Sequence, residues 1–500
     1  MMMPGKYEDQ EDTTSQVGRR AFCGQMAGGL GAIALASLLE QDSCLAAPAD
    51  PQLTNQPGSA VASGGVLHRP HHRARAKRVI HVFSPGGVSQ VDTLDYKPAL
   101  EKLDGKRLTG KGTIDTFFGK VGVLRKSFYK FRQYGKHGSW FSSLLPELAT
   151  CADELTYFHT LVAKSSSHTP ACFQMNTGFT QVGFPSVGSW LSYGLGSLND
   201  ELPTFVVLPD PRGFPNGGSS NWSQGFLPAQ HQGTAFTTDG SSDPIAHLKT
   251  PTSVGATERQ ASLQVLSQFN ESFARANVGN DALQARARSY ELAARMQTSI
   301  PKAVDLSDET AATRKMYGLD RKDIGASARN YVLARRLIEE GVRFVQIYNG
   351  GALGSPRINW DAHEDVVRNH NNQARQLDQP FAALLKDLKQ RGLLDDTLVV
   401  WTSEFGRTPF TQGDDGKGRD HHPLVFTGCM AGAGLRPGYH HGLSDEVGYQ
   451  PAENPVTVYD FHATLLHLLG IDHTRLTYYH NGLDRRLTDV HGHVVQDVLA

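Results

Sequence analysis

Short apolar runs alternate with longer amphipathic stretches along this chain, and the alternation begins at Val79. Val79-Ile80-His81-Val82-Phe83 reads as a buried strand, and Leu155–Val162, Thr204–Leu208, Arg343–Tyr348 and Leu398–Thr402 read as further strands. Between them apolar positions recur at helical spacing over Ala326–Glu340, stopped by Gly341, and over Pro380–Arg391, where Phe381, Leu384, Leu385 and Leu388 share a face. Tyr459–Leu469, closed by Gly470, is a late helix of the same kind. Residues 256–300 carry Leu263, Leu266, Phe269 and Phe273 at helical spacing and predict a helical insertion serving as core or cover. Strand alternating with helix predicts an α/β fold whose mainly parallel sheet is covered on both faces.

The pattern is absent before residue 78, and composition explains why. Gly18-Arg19-Arg20-Ala21-Phe22 precede a weakly apolar run from Ala27 to Leu39, with Ala46, Ala47 and Ala49 beyond it. That order predicts a twin-arginine signal peptide over residues 1–47, passage through the twin-arginine translocase, and a periplasmic or extracellular location. The apolar run of about 13 residues is too short to cross a ~30 Å hydrocarbon core. Residues 48–77 are rich in Pro, Ser, Gly and Ala and end in HRPHHRARAKR, which predicts a disordered basic linker. The folded domain is therefore expected over 78–490. Its charge is balanced, 49 Lys and Arg against 50 Asp and Glu over the whole chain, so no global field recruits nucleic acid. Cys151, Cys172 and Cys429 are odd in number and widely spaced, and imply no disulfide framework.

Candidate chemistry concentrates in the C-terminal third. NWDAHEDVVRNHNN (359–372), LVVWTSEFGRTP (398–409) and GRDHHP (418–423) place Asp361, His363, His370, Glu404, Asp420, His421 and His422 near strand ends. Nitrogen and oxygen donors without a thiolate suit a divalent ion such as zinc, manganese, calcium or magnesium. Two earlier loops add to the set. SPGGVSQVDTLDYKP (84–98) follows the first strand and brings Asp92 and Asp95 toward the carboxyl edge of a parallel sheet, as ligands or as turn caps. SSSHTPACFQMNTG (165–178) has a Ser cap and Pro170 in the first turn, which predicts a helix start with His168 and Thr169 placed to meet an anion. The long polar loop 212–234 offers Asn221, Trp222, Phe226 and Gln232 as substrate contacts.

GGVSQVDTLDYKP, GFLPAQHQGT, WDAH, EFGRTP and GRDHHP, in that order, resemble the motifs of a family of exported bacterial proteins defined only as a domain of unknown function. The order of strand, anion-binding helix start, Asp and His, acidic strand end and late His also resembles the alkaline phosphatase and sulfatase superfamily. That resemblance implies an alkaline-phosphatase-like three-layer sandwich with inserted loops and helices, and hydrolysis of phosphate or sulfate esters with metal help. It places Asp361, His363 and His421 on one ion, with Glu404, Asp92 and His168 at a second, and Arg407 gripping the anion bidentately. The substrate so implied is an anionic ester, small or carried on a sulfated or phosphorylated polymer. Two departures stand out: His168 occupies the slot of the sulfatase nucleophile, and Phe405 replaces a metal-binding histidine. His168 is then either a ligand or itself a nucleophile. The rival reading is a binding protein that keeps the fold without the chemistry.

Overall fold

The computed structural model describes residues 65–500 apart from 112–113, 115, 118, 238–243, 246–254, 277–291, 293–294, 297–298 and 353–357. The elements that matter here are, in chain order, β1 (Arg78–Phe83), β2 (Val121–Leu124), β3 (Leu155–Val162), α1 (His168–Thr177), α2 (Val187–Leu195), β4 (Phe205–Leu208) and β5 (Thr234–Ala235). There follow α3 (Ala256–Ala276), α4 (Gly325–Glu339), β6 (Phe344–Tyr348), α5 (Val366–Gln390), β7 (Thr397–Thr402), β8 (Gly406–Gln412), β9 (Arg419–His422), β10 (Phe426–Ala431), β11 (His440–His441), β12 (Val456–Thr457) and α6 (Val458–Leu468).

The main sheet runs β11-β3-β10-β7-β1-β6-β4-β5, with β12 also pairing β3. All its pairings are parallel except those of β10, which is antiparallel to both β3 and β7. The architecture is thus α/β with a mainly parallel central sheet, as the strand–helix alternation predicts. Successive side chains of β1 point to opposite faces. Ile80 and Val82 join Tyr331 of α4 and Leu377, Phe381 and Leu384 of α5 in one core. Val79 and Phe83 join Cys172 of α1, Trp190 of α2 and Phe461 of α6 in the other. A small antiparallel sheet, β9-β8-β2, stands beside the main one over its own apolar cluster of Leu124, Phe410 and Tyr449.

Three expectations change. Helix α5 begins at Val366 and runs through Pro380, because buried Ala374 and Leu377 extend the apolar face upstream of the proline. In α3 the expected apolar positions divide: Leu263 and Leu266 are half-buried, while Phe269 and Phe273 are 58% and 41% exposed. The last part of the expected linker lies on the body, with the Val66 and Leu67 amides bonded to the Tyr193 and Gly194 carbonyls and the Ala76 amide to the Leu468 carbonyl. The signal region and the remainder of the linker lie outside the described residues, as does much of 277–300. Among the described residues no helix is long and apolar enough to cross a membrane.

His81, His159, His370, His422 and His462 are sealed in the interior, and burial, the leading cause, holds their imidazoles neutral. His81, His159 and His370 are lowered to about 3, and His422 and His462 to about 4. Unfolding restores the ordinary value of 6.5, so the unfolded chain takes up protons that the native chain refuses. Their contribution is intact above pH 6.5 and is lost as pH falls toward the folded values. Each group adds up to about 1.4 kcal/mol per pH unit in that window. Urea midpoints measured from pH 7.5 to 4.5 are expected to fall steeply below pH 6.5, and a flat profile would contradict this.

A candidate metal centre at the carboxyl edge of the sheet

Four chain segments meet beyond the carboxyl ends of β1, β6 and β7. The turn after β1 is Ser84-Pro85-Gly86-Gly87. Gly86 adopts φ +114°, and a Cβ there would collide with the backbone amides of Trp360 and Asp361, so only glycine lets the two segments touch. Trp360, fully buried, donates its amide to the Pro85 carbonyl and its indole N–H to Asn349 Oδ1, 2.9 Å away, which sets the position of Asp361. On the other side a Cβ on Gly418 would overlap the His363 carbonyl, so the start of β9 lies flat against the 362–363 segment. Within the small sheet Arg407 is directly opposite His421.

The result is a group of His168, Asp361, His363 and His421, one ligand atom from each lying within 4.8 Å of all the others. The tautomers follow from their outer partners. His168 Nδ1 lies 2.6 Å from Glu404 Oε1, His363 Nδ1 3.1 Å from Gln412 Oε1, and His421 Nδ1 2.6 Å from the Ser166 carbonyl. Each partner atom is an acceptor only, so every Nδ1 carries the hydrogen and every neutral ring turns an Nε2 lone pair inward. His363 Nε2 lies 2.8 Å from His421 Nε2 and 2.9 Å from Asp361 Oδ1, while His168 Nε2 is 3.4 Å from that oxygen and has no hydrogen-bond partner. Converging lone pairs beside a carboxylate repel unless a positive charge sits among them, either a shared proton or a cation.

Electrostatics agree. Burial would raise the Asp361 carboxyl, but Arg407 and the three imidazoles overcome it and hold the group far below the usual carboxylate range. His421 is pushed down to about 3, mainly by burial. For His168 burial works downward, yet the neighbouring carboxylates of Asp361 and Glu404 outweigh it and hold the ring above the ordinary imidazole value.

The remaining sequence candidates are placed elsewhere. Glu404 is fully buried, accepts from the Gly86 amide at 2.8 Å and from Ser403, and fixes His168 from behind. Arg407, also fully buried, does not face outward as an anion clamp. Its guanidinium donates to the carbonyls of Gly86, Gly87 and Arg419 and, at 2.7 Å, to Asp361 Oδ1. Asp92 is not brought into the group, because its carboxylate lies against the Arg419 guanidinium at 2.8 Å. His370 Nε2 accepts from the Ser89 amide, and His422 donates to the Tyr449 carbonyl rather than to His421. Asp420 accepts from the amides of His421 and Phe117, both at 2.8 Å. Thr169, half-buried, is the second residue of α1. In the 212–234 loop Asn221 and Trp222 are buried, and Asn221 and Gln232 bond within the loop itself. Sequence reasoning missed Gln412, Ser166 and Gln90. Gln90 accepts from the Arg407 amide and donates to its carbonyl, and its only signal was a place in the GGVSQVD motif.

No curated protein matches the chain in sequence. Similar solved structures include the lipoteichoic acid synthase LtaP from Listeria monocytogenes, at 11% identity and TM-score 0.34, covering 80% of this chain and 74% of that one. A protein in the alkaline phosphatase superfamily from Vibrio parahaemolyticus is 12% identical with TM-score 0.33, over 89% of this chain and 77% of that one. The phosphonate monoester hydrolase SpPMH from Silicibacter pomeroyi is 11% identical with TM-score 0.32, over 65% and 68%. The family model described as "Protein of unknown function (DUF1501)" matches residues 76–499, and the chain belongs to that family.

Proposed function

We propose that this chain is an exported hydrolase of phosphate or sulfate esters that works with one divalent ion held by His168, Asp361, His363 and His421. The observation that carries the reading is the convergence of three imidazole Nε2 atoms and one carboxylate oxygen, each ring tied at Nδ1 to an outer acceptor. Three nitrogens and one oxygen suit zinc, or manganese, better than calcium or magnesium, which prefer all-oxygen sites. When bound, such an ion polarises an ester oxygen and makes water a better nucleophile near neutral pH.

The protein's own contributions follow from the same geometry. Glu404 keeps the His168 proton on Nδ1 and so keeps Nε2 available as a ligand. Arg407 holds Asp361 in place and balances its charge. The N-terminus of α1, with Thr169 beside it, offers amide hydrogens to an anionic ester oxygen. With Nδ1 committed to Glu404 and Nε2 turned into the ligand group, the geometry favours His168 as a ligand over a transiently phosphorylated nucleophile. The substrate is an anionic ester, free or carried on a sulfated or phosphorylated polymer, met in the periplasm or outside the cell. The engaged guanidinium of Arg407 favours one second reading, a ligand-binding protein without turnover. Tag-free protein analysed by inductively coupled plasma mass spectrometry is expected to hold one zinc or manganese per chain and, so loaded, to hydrolyse at least one of a panel of aryl phosphates, phosphodiesters and sulfates. Failure to retain any divalent ion would end both the metal assignment and the enzyme.

A further inference from the structure

Residues 65–76, which precede β1, lie as a strap across the carboxyl-terminal ends of two helices. The Val66 and Leu67 amides donate to the Tyr193 and Gly194 carbonyls at the end of α2, both at 2.9 Å. At the end of α6 the His72 amide donates to the Gly470 carbonyl at 3.2 Å, and the Arg75 and Ala76 amides share the Leu468 carbonyl at 2.8 Å. The last carbonyls of a helix have no partner within it, and here the strap supplies one. Gly470 adopts φ +78°, and a Cβ there would press on Pro70 and Ala74, so glycine lets the strap lie flat on this turn.

The side chains that fasten it are titratable. His71 Nδ1 accepts the Asp472 amide at 3.0 Å, which requires a neutral ring. The His72 ring lies against His467 of α6, with centroids 4.3 Å apart and planes inclined by 31°, and His72 Nε2 is enclosed without a hydrogen-bond partner. Arg75 on the strap and Arg475 on the body face the three imidazoles as cations. The carboxylate facing them is Asp472, whose Oδ1 already accepts from the Thr474 amide and hydroxyl. His68, Arg69 and Arg73, on the same strap, are exposed.

We propose that the strap is an acid-released clasp: protonation of His71, His72 and His467 frees residues 65–76 from α2 and α6 while the rest of the fold stays closed. A second hydrogen on His71 removes the acceptor for the Asp472 amide. Charge on His72 or His467 sets the paired imidazoles against each other and against Arg75, and the enclosed Nε2 meets no acceptor. Burial, joined by Arg475 at His71 and by His72 at His467, holds both rings below the ordinary 6.5. Released into water they return to that value, so attachment is complete above pH 6.5 and weakens as pH falls through the lower bound values. The clasp precedes β1 and the candidate metal centre lies beyond the other end of that strand, so release is independent of the ester chemistry.

Hydrogen exchange followed by mass spectrometry on the full chain tests this, with rates corrected for the intrinsic pH dependence of exchange. Between pH 7.5 and 5.5 protection of the 65–76 amides is expected to fall at least about 10-fold, the effect of one linked proton over one pH unit, while α4 keeps its protection. His71→Asn with His72→Phe and His467→Phe keeps an acceptor and a ring pair without titration, and is expected to hold the strap at pH 5.5. Equal protection of the wild-type strap at the two pH values would overturn the proposal. So would loss of α4 protection in step with the strap, which is global unfolding, or release of the strap in the folded triple variant as in wild type. The wild-type comparison decides even where the variant does not fold.

Discussion

Asp92→Ala is expected to lower stability by about 3–5 kcal/mol and to leave metal content unchanged. Asp92 and Arg419 are both fully buried. Asp92 Oδ2 accepts from Arg419 Nε at 2.8 Å and Ser89 Oγ at 2.6 Å, and Oδ1 accepts from the Phe128 amide and Ser127 Oγ at 3.0 Å. The other Arg419 donors end on carbonyls of Thr408, Arg125 and Lys126, so Asp92 supplies its compensating charge. Removing the carboxylate strands a cation where water does not reach, and that penalty exceeds the net worth of the pair. Asp92→Ala combined with Arg419→Met is therefore expected to be milder than the sum of the single changes. Burial pushes the Asp92 carboxyl up, but Arg419 and Ser89 push it down further, and its folded value lies below the ordinary 3.8. Its contribution is thus present above pH 3.8 and is lost as pH falls below it. Denaturant midpoints at pH 7 with metal stoichiometry on the same samples check this. Loss of the ion with stability retained would return Asp92 to the ligand set.

The pattern of apolar positions was enough to place the sheet. β1, β3, β4, β6 and β7 lie where short apolar runs predict strands, because burial on both faces leaves a contiguous signature. In helix α3 the helical spacing predicts the helix but says nothing of what covers its apolar side, and Phe269 is left in solvent. At the candidate centre, Asp361 and His363 are local neighbours in WDAH, and His421 sits in a comparably dense GRDHHP run. Chain density and residue type made those three visible. Which carboxylate faces which cation was not visible, since it depends on contacts across 46 positions for Arg407 and Asp361 and 327 for Arg419 and Asp92. Arg407 was available to neutralise an anion until the fold enclosed it. For His168 the sequence identifies the slot at the head of α1, but only the position of Glu404, 236 residues away, shows which nitrogen is turned inward.

His421→Ala is expected to weaken zinc binding by about 100- to 1,000-fold. Structural zinc sites with four protein ligands bind with about 10–16 kcal/mol in all, so one ligand accounts for roughly 3–4 kcal/mol. Glu404→Gln removes a charge behind His168 and keeps the ligand itself, so a smaller loss of about 10- to 100-fold is expected. His422→Ala is the control, because that ring adjoins the ligand in sequence and yet bonds to the Tyr449 carbonyl at 2.7 Å. The same binding energy must appear as stability, since zinc at about 1,000 times its dissociation constant favours the folded state by about 4 kcal/mol. Adding a chelator should therefore lower the unfolding midpoint of wild type and of His422→Ala, and leave His421→Ala almost unmoved. Competition titrations with a chromogenic chelator measure the affinities, and thermal melts with and without EDTA measure the linkage. Unchanged zinc affinity in His421→Ala would mean that the lone pairs around Asp361 are reconciled by a proton alone, and the metal centre would fall with it.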